Sequence, residues 1–289
     1  MTLTVYMPAL GAMGAALAAR LVAAGAQVVS DLDARGADTR QRAAAAGVVH
    51  APEYAMTESD IVLSVAPPDQ AMPIAERFAA LARSPRGDTV FADMNAISPQ
   101  LAVRIGEKIE QAGARFADGG IIGLPPDGVR PDPALYVSGP AAPALSKLGE
   151  YGLRICLLDA PAGAASALKL SYAGITKGLI GIGAAMMLAA TRAGVADALS
   201  AELAASQPRL LESFGRSIPD MMPKAARWVS EMHEIARFVG DDRADAEVYS
   251  ALAAFYEHIG REHAQAGPEV ESLLAFLSSG APHNERDAG

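Results

Sequence analysis

The residues best suited to chemistry near the start of the chain are two glycines and an aspartate. Ala9-Leu10-Gly11-Ala12-Met13-Gly14 follows a strand-like run, Thr2–Met7, and leads into an alanine-rich stretch of helical character. A G-x-G-x-x-G turn between a strand and a helix is built to hold a pyrophosphate. Gly11 stands where the backbone must approach the phosphates, and Gly14 where the helix must close on the sheet. The first N–H groups of the helix then offer partial positive charge to the phosphates. Ala9, preceded by Pro8, replaces the first glycine of the pattern. The bland counterpart is a strand–helix turn with no ligand. Asp31 closes the next strand about 20 residues on, where a carboxylate accepts hydrogen bonds from the adenosine ribose and repels a 2′-phosphate. This favours NAD, with NADP as the alternative. Asp33 adds a second carboxylate, and Arg35 is the nearby cation that could reverse the preference. A carboxylate at Asp31 that only caps the following turn is the competing reading.

The elements that must carry this loop are legible in outline. Thr2–Met7, Ala26–Asp31, Ile61–Val65, Thr89–Ala92 and Arg115–Ala117 are short apolar runs separated by helical stretches, the first of which is Ala12–Ala24. Strand and helix in alternation require parallel pairing, and near-continuous apolar strands fit a sheet covered on both faces. Leu135–Ser138 and Arg154–Leu158 add two more strands. From Ser166 onward the pattern is helical: Ala167–Ala190, Ala196–Ser213, Pro219–Phe238, Ala244–Ala266 and Pro268–Leu277. Gly174, Gly178, Gly181 and Gly183 lower the propensity of the first of these, so burial must hold it. The expected fold is α/β, a Rossmann-type doubly wound domain followed by an all-α domain. The boundaries are 1–162, 163–280 and a polar tail 281–289.

Composition narrows the function. The chain has 289 residues, 51% of them hydrophobic and 20% charged, with 24 Lys+Arg against 33 Asp+Glu for a net charge of −9. That suits a folded core and argues against nucleic acid or an acidic membrane surface as partner. The single cysteine, Cys156, excludes an internal disulfide framework and points to a reduced, cytoplasmic setting. No run reaches the roughly 18–20 uninterrupted apolar residues of a membrane helix. The N-terminus carries no basic region or cleavage signal. His258 and His263 lie five apart, off one helical face, and H-E-x-x-H is absent, so no metal is expected.

Several segments together resemble the β-hydroxyacid dehydrogenase superfamily, which includes 3-hydroxyisobutyrate and 6-phosphogluconate dehydrogenases. Leu10-Gly11-Ala12-Met13-Gly14 is similar to its G-x-G-x-M-G. Ser64-Val65-Ala66-Pro67 stands where the family covers the nicotinamide ribose. Asp93-Met94-Asn95-Ala96-Ile97-Ser98-Pro99 resembles D-x-S-T-x-S-P. Asp118-Gly119-Gly120-Ile121-Ile122-Gly123 stands in place of the substrate segment D-A-P-V-S-G-G, and Gly163 to Lys169 resembles the approach to the catalytic lysine. Lys169–Gly178 and Arg227–Ala236 look typical of a branch with a C-terminal domain formerly of unknown function. The sequence departs from the family at Ile122-Gly123-Leu124 and at Ala173, where the family usually has asparagine.

The resemblance implies hydride transfer between nicotinamide and a small hydroxy acid or the corresponding aldehyde or ketone. Lys169 would be the general acid/base, its proton affinity lowered by burial; a lysine with its stem packed and its head in water is the alternative. Tyr172, one turn on, could bond substrate or simply pack. The implied cofactor contacts are Ala9 to Gly14, Asp31, Val65, Ala66, Pro67 and Asn95. Asn95 could equally be a turn residue before Ser98-Pro99. Substrate contacts are expected from Gly119, Gly120, Ile121 and Ile122, with Lys177 as an anion site or a solvated or helix-pairing lysine. His233 is read as a pocket residue or a surface one, and Trp228 as core or interface. An imine reductase of the same architecture is the rival enzyme. A nucleotide-binding protein without turnover, or an interaction protein, is the rival outside enzymes. The apolar helical half is expected to pair two copies into a homodimer.

Overall fold

The computed structural model describes residues 2–33, 35–82, 88–240 and 243–279. The chain divides into two compact units, Met1–Leu170 and Ser171–Gly289. In the first unit eight strands form one sheet: β1 (Thr4–Tyr6), β2 (Gln27–Ser30), β3 (Val49–His50), β4 (Ile61–Ser64), β5 (Val90–Asp93), β6 (Arg115–Ile122), β7 (Ala134–Ser138) and β8 (Arg154–Leu157). Their order is β3-β2-β1-β4-β5-β6-β7-β8. The first six run parallel, β7 pairs antiparallel to β6, and β8 is parallel to β7. The order reverses between β1 and β4, the switch point at which doubly wound sheets open a crevice beyond their C-terminal strand ends.

The helices of this unit are α1 (Ala12–Ala23), α2 (Ala37–Ala45), α3 (Ala71–Leu81), α4 (Pro99–Gln111) and the short α5 (Lys147–Glu150). Alternation along each strand sends residues to opposite faces. Leu63, Leu17, Leu21 and Leu145 fill one face. Val62, Phe78, Phe91, Ile105 and Phe116 fill the other, where the Phe78 and Phe91 rings meet edge-on at 5.4 Å. Each such side chain, fully buried, contributes about 1.5–3 kcal/mol.

Helix α6 (Ala164–Arg192) begins in the first unit and continues into the second, which adds α7 (Ala196–Ser206), α8 (Pro208–Met221), α9 (Ala225–Val239), α10 (Ala244–Ala264) and α11 (Pro268–Ser279). The glycines of α6 are seats for bulky neighbours. A methyl at Gly181 would lie 2.6 Å from a Leu252 methyl, and one at Gly183 2.5 Å from the Phe214 ring. Tyr256 meets Trp228 edge-on at 5.3 Å and donates to the Lys177 carbonyl at 2.5 Å. Burial holds the Tyr256 phenol far above its ordinary range.

Four expectations need correction. Strand β3 was not foreseen, because two exposed residues carry no period. The stretch 196–213 is two helices: Pro208 disfavours helical backbone at Gln207, which has φ −136° and ψ 50°. Pro219 lies inside α8, and the next helix starts at Ala225. Asp118 to Ile122 is strand, held by antiparallel pairing to β7 from Asp118↔Ser138 to Ile122↔Ala134. The division of the chain falls within α6, and the tail 281–289 lies outside the described residues. Although no uninterrupted apolar run marks it, α6 is long and apolar enough by composition to cross a membrane, with mean hydropathy 1.5 in its best window.

Candidate functional site

The loop after β1 meets the requirements of a pyrophosphate cradle. Gly11 caps α1 in an extended conformation, and no side chain occupies the cap. Gly11 and Ala12 are exposed, and a methyl built on Gly11 would find no atom within 4 Å. At Gly14 the same methyl would lie 3.0 Å from the Ala9 carbonyl and 3.7 Å from Val65. The first position is thus open toward a ligand, and the second is closed by packing. Leu10 is buried, and Ala9 and Met13 are half-buried. These residues fit a dinucleotide, with α1 directing its N-terminus at the phosphates.

Two arginines brace the loop from behind. Arg42 donates to the Leu10 carbonyl at 3.0 Å. Arg35 donates to the Pro8 carbonyl at 2.9 Å and to the Asp31 carbonyl at 3.3 Å. Asp31 is half-buried at the end of β2, where its carboxylate accepts from the Asp33 N–H and its own N–H donates to the Tyr6 hydroxyl. Burial raises the Tyr6 phenol to about 12. Among the described residues, Asp31, Asp33 and His50 are the group whose ligating atoms come within 4.8 Å of one another, on an exposed rim.

Register aligns a second feature across four neighbouring strands. Ser64 pairs with Asp93, Asp93 with Asp118, and Asp118 with Ser138. By alternation all four side chains share the face of Phe91 and Phe116, and all are fully buried. Asp118 is saturated. It accepts from Ser138 Oγ (3.0 Å), Gly163 N–H (2.9 Å), Ser166 N–H (3.0 Å) and Ser166 Oγ (2.6 Å). Ser138 Oγ also accepts from the Ala165 N–H. The carboxylate therefore satisfies the orphan donors at the start of α6 and faces its positive end.

Anchoring α6 in this way delivers Lys169 to β6. A methyl on Gly120 would strike Lys169 Cβ at 2.9 Å and the Ala165 carbonyl at 2.9 Å, so only glycine lets the helix descend this far. At Gly119 the same atom would collide with the Met94 sulfur. Gly119 and Gly120 are buried strand residues, Ile121 is buried beside them, and Ile122 is half-buried. Lys169 itself is half-buried.

Asp93 accepts through both oxygens from Asn95, the N–H and the side-chain amide, each at 2.9 Å. Burial pushes it up to about 7, and the Asn95 bonds work against this. Asp118 adds to the rise and the Lys169 charge opposes it. Asn95, read from sequence as a cofactor contact or a turn residue, is buried and has its amide spent inside. Nδ2 donates to Asp93 and to Ser64 Oγ, and Oδ1 accepts from the Ala66 N–H at 2.6 Å. It braces the Val65-Ala66-Pro67 turn, whose residues are half-buried, half-buried and exposed.

The remaining expected residues belong to the second unit. Tyr172 is exposed on α6, and His233 is exposed on α9. Lys177 is committed: its ammonium pairs with Glu231 and lies 4.7 Å from the centre of the Trp228 ring. Burial lowers its proton affinity, and Glu231 restores part of it. The row Ser64, Asp93, Asp118 and Ser138 is absent from the sequence expectations. Its signal was a small polar residue closing each apolar strand run, in IVLS, VFAD, RFAD and LYVS.

Residues 7–145 match the NAD binding domain of 6-phosphogluconate dehydrogenase. Residues 190–259 match a domain of unknown function, DUF1932. No curated protein matches the sequence. Among solved structures, a conserved protein of unknown function, reported as structurally similar to 3-hydroxyacid dehydrogenases, is 26% identical. That alignment covers 91% of this chain and 99% of the other, with a TM-score of 0.74. A 3-hydroxyisobutyrate dehydrogenase from Mycobacterium tuberculosis, solved with L-serine, is 20% identical over 96% of this chain and 99% of its own (TM-score 0.74). An imine reductase from Myxococcus stipitatus, solved as a variant with NAD+, is 20% identical over 96% and 100% (TM-score 0.59). The Rossmann-type unit is thus similar over residues 7–145 to the NAD binding domain of 6-phosphogluconate dehydrogenase, and the helical unit is similar over residues 190–259 to DUF1932.

Proposed function

We propose that the protein is an NAD(P)-dependent oxidoreductase that moves hydride between nicotinamide and a small hydroxy acid or the matching aldehyde or ketone. Lys169 is its general acid/base. A bound nicotinamide supplies or takes the hydride. The chain's own part is to hold the dinucleotide at Gly11 and Gly14, to shape the Ser64–Pro67 turn through Asn95, and to manage one proton. In the oxidative direction the Lys169 amine takes the hydroxyl proton; in the reductive direction its ammonium returns it to the forming alkoxide. The observation that carries this reading is the seating of Lys169 on Gly120 at the anchored start of α6. Asp31 at the end of β2, with Arg35 bonded to two backbone carbonyls, favours NAD.

The test is a panel of hydroxy acids, aldehydes and imines followed by nicotinamide absorbance, with wild type and Lys169→Met side by side. Turnover of a hydroxy acid or aldehyde that falls by 10²-fold or more in the variant, with cofactor affinity unchanged, is expected. Turnover that survives the substitution rejects the lysine, and reduction of imines alone selects the rival enzyme.

The same reading includes a cytoplasmic homodimer built on the helical unit. Tyr172, Ile175, Leu179, Ile182 and Met186 are exposed along α6 at alternating spacings of three and four, the period of a helix–helix seam. Sedimentation should give a dimer, and Ile175→Asp with Ile182→Asp a monomer. A monomeric wild type rejects the pairing.

A further inference from the structure

A turn that brings backbone N–H groups to phosphates must also direct its carbonyls away from them. The standard pattern gives the tight turn to its first glycine, and here Ala9 stands in that place. None of residues 8–11 has a positive φ, and Gly11 itself is extended at φ −69° and ψ −176°. The carbonyls are instead held from outside the loop. Arg35 donates through Nη2 to the Pro8 carbonyl at 2.9 Å, and Arg42 through Nε to the Leu10 carbonyl at 3.0 Å. The Ala9 carbonyl between them lies against α1, 3.0 Å from where a methyl on Gly14 would stand. In a planar trans peptide the C=O and N–H point in opposite directions. Holding the Pro8 and Leu10 carbonyls to the arginines therefore turns the Ala9 and Gly11 N–H groups away from them, the second at an exposed residue. Arg35 makes a further bond, from Nε to the Asp31 carbonyl at 3.3 Å. One guanidinium thus spans from the phosphate loop to the end of β2. Asp31 is gripped there on both sides, since its own N–H donates to the Tyr6 hydroxyl. The arginines are steadied in turn: Arg40 donates to the Arg35 carbonyl, and Arg42 donates to Thr39 Oγ1 at 3.1 Å.

We propose that Arg35 and Arg42 are positioning residues for the dinucleotide. Together they fix the peptides of residues 8–11 so that N–H groups face the pyrophosphate, and Arg35 locks that loop to Asp31. This deepens the reading of the Gly11 loop as the cofactor site and rests on it. A guanidinium suits the task because its planar fork is always charged and reaches two acceptors at once. The compact ammonium of a lysine lacks the span from Nε to Nη2. The same commitment sets Arg35 apart from a ligand for a 2′-phosphate. An arginine that binds that phosphate contributes to NADPH alone, whereas one that shapes the loop contributes equally to both dinucleotides.

The experiment is fluorescence titration of the full-length protein with NADH and with NADPH, at low and high salt. It compares wild type, Arg35→Met, Arg35→Lys and Arg42→Met, each checked for folding by its Tm. Arg35 is half-buried and Arg42 is exposed, so the variants are expected to fold. Arg35→Met should weaken NADH and NADPH by the same factor, about tenfold, and Arg35→Lys should not restore the loss. Arg42→Met should weaken both by about three- to tenfold. These factors should be equal at the two salt concentrations, because the set of a peptide is not screened, whereas attraction between a distant guanidinium and the phosphates is. Loss of NADPH binding alone makes Arg35 a 2′-phosphate ligand and overturns the proposal. A loss that lysine restores or that salt abolishes assigns the effect to charge and overturns it too, as do folded variants that bind within twofold of wild type. If Arg35→Met does not fold, Arg42→Met decides the role of the arginines on the same criteria. Wild type that binds neither dinucleotide rejects the cofactor reading together with the proposal. Wild type that binds, beside variants that bind equally well, rejects the role of the arginines alone.

Discussion

Helix α6 carries two lysines eight residues apart, and they sit in opposite kinds of surroundings. Lys169 rests on a strand glycine, where the start of the helix is clamped by Asp118. Lys177, two turns on, is paired with Glu231 and stacked over Trp228, and the carbonyl of its residue accepts from Tyr256. The first arrangement fixes the helix through its backbone, with Asp118 accepting from the Gly163 and Ser166 N–H groups. The second uses the ammonium itself as packing material.

The comparison breaks most visibly by exchanging the two roles. Lys169→Met should lower turnover by 10²–10⁴-fold with nicotinamide affinity unchanged. Lys177→Met should leave turnover within about threefold but strand the half-buried Glu231. The expected cost is about 2 kcal/mol, read as a fall of about 5 °C in Tm. Equal losses of turnover in the two variants would erase the distinction.

A smaller effect sharpens it. Burial raises Asp93 from 3.8 to about 7, so the native state holds that proton more tightly than the unfolded chain. The resulting stability is fully present below about pH 4 and is lost as pH rises toward 7. Wild-type Tm should therefore fall from pH 5 to pH 8 by on the order of 5 °C more than that of Asp93→Asn, whatever the offset between the two curves. Parallel curves from calorimetry would show that Asp93 is ionised throughout.

Much of the first unit was legible because its strands are apolar on both faces and its punctuation is local. Gly11, Gly14 and Asp31 could be placed by spacing alone. The buried row could not, because Ser64, Asp93, Asp118 and Ser138 meet only through the register of four strands. No local period reports register. Asn95 illustrates the same limit: its neighbours in sequence suggest a turn, while its bonds to Ser64 and Ala66 come from across the sheet. In the second unit, the single helix expected over 196–213 overlooked the break that Pro208 imposes on Gln207. The pairing of Lys177 with Glu231, 54 residues away, was not readable.

Fluorescence titration of wild type and Gly11→Val with NADH and NADPH decides whether the loop at Gly11 holds a nicotinamide dinucleotide. A methyl at Gly11 meets no protein atom within 4 Å. The variant should therefore fold, with Tm lowered only by the few degrees that valine at a helix cap costs, yet bind at least tenfold more weakly than wild type, which should saturate with NADH at the lower concentration. Folded wild-type protein that binds neither dinucleotide, or a Gly11→Val protein that binds as well as wild type, would rule out Gly11 as the cofactor loop.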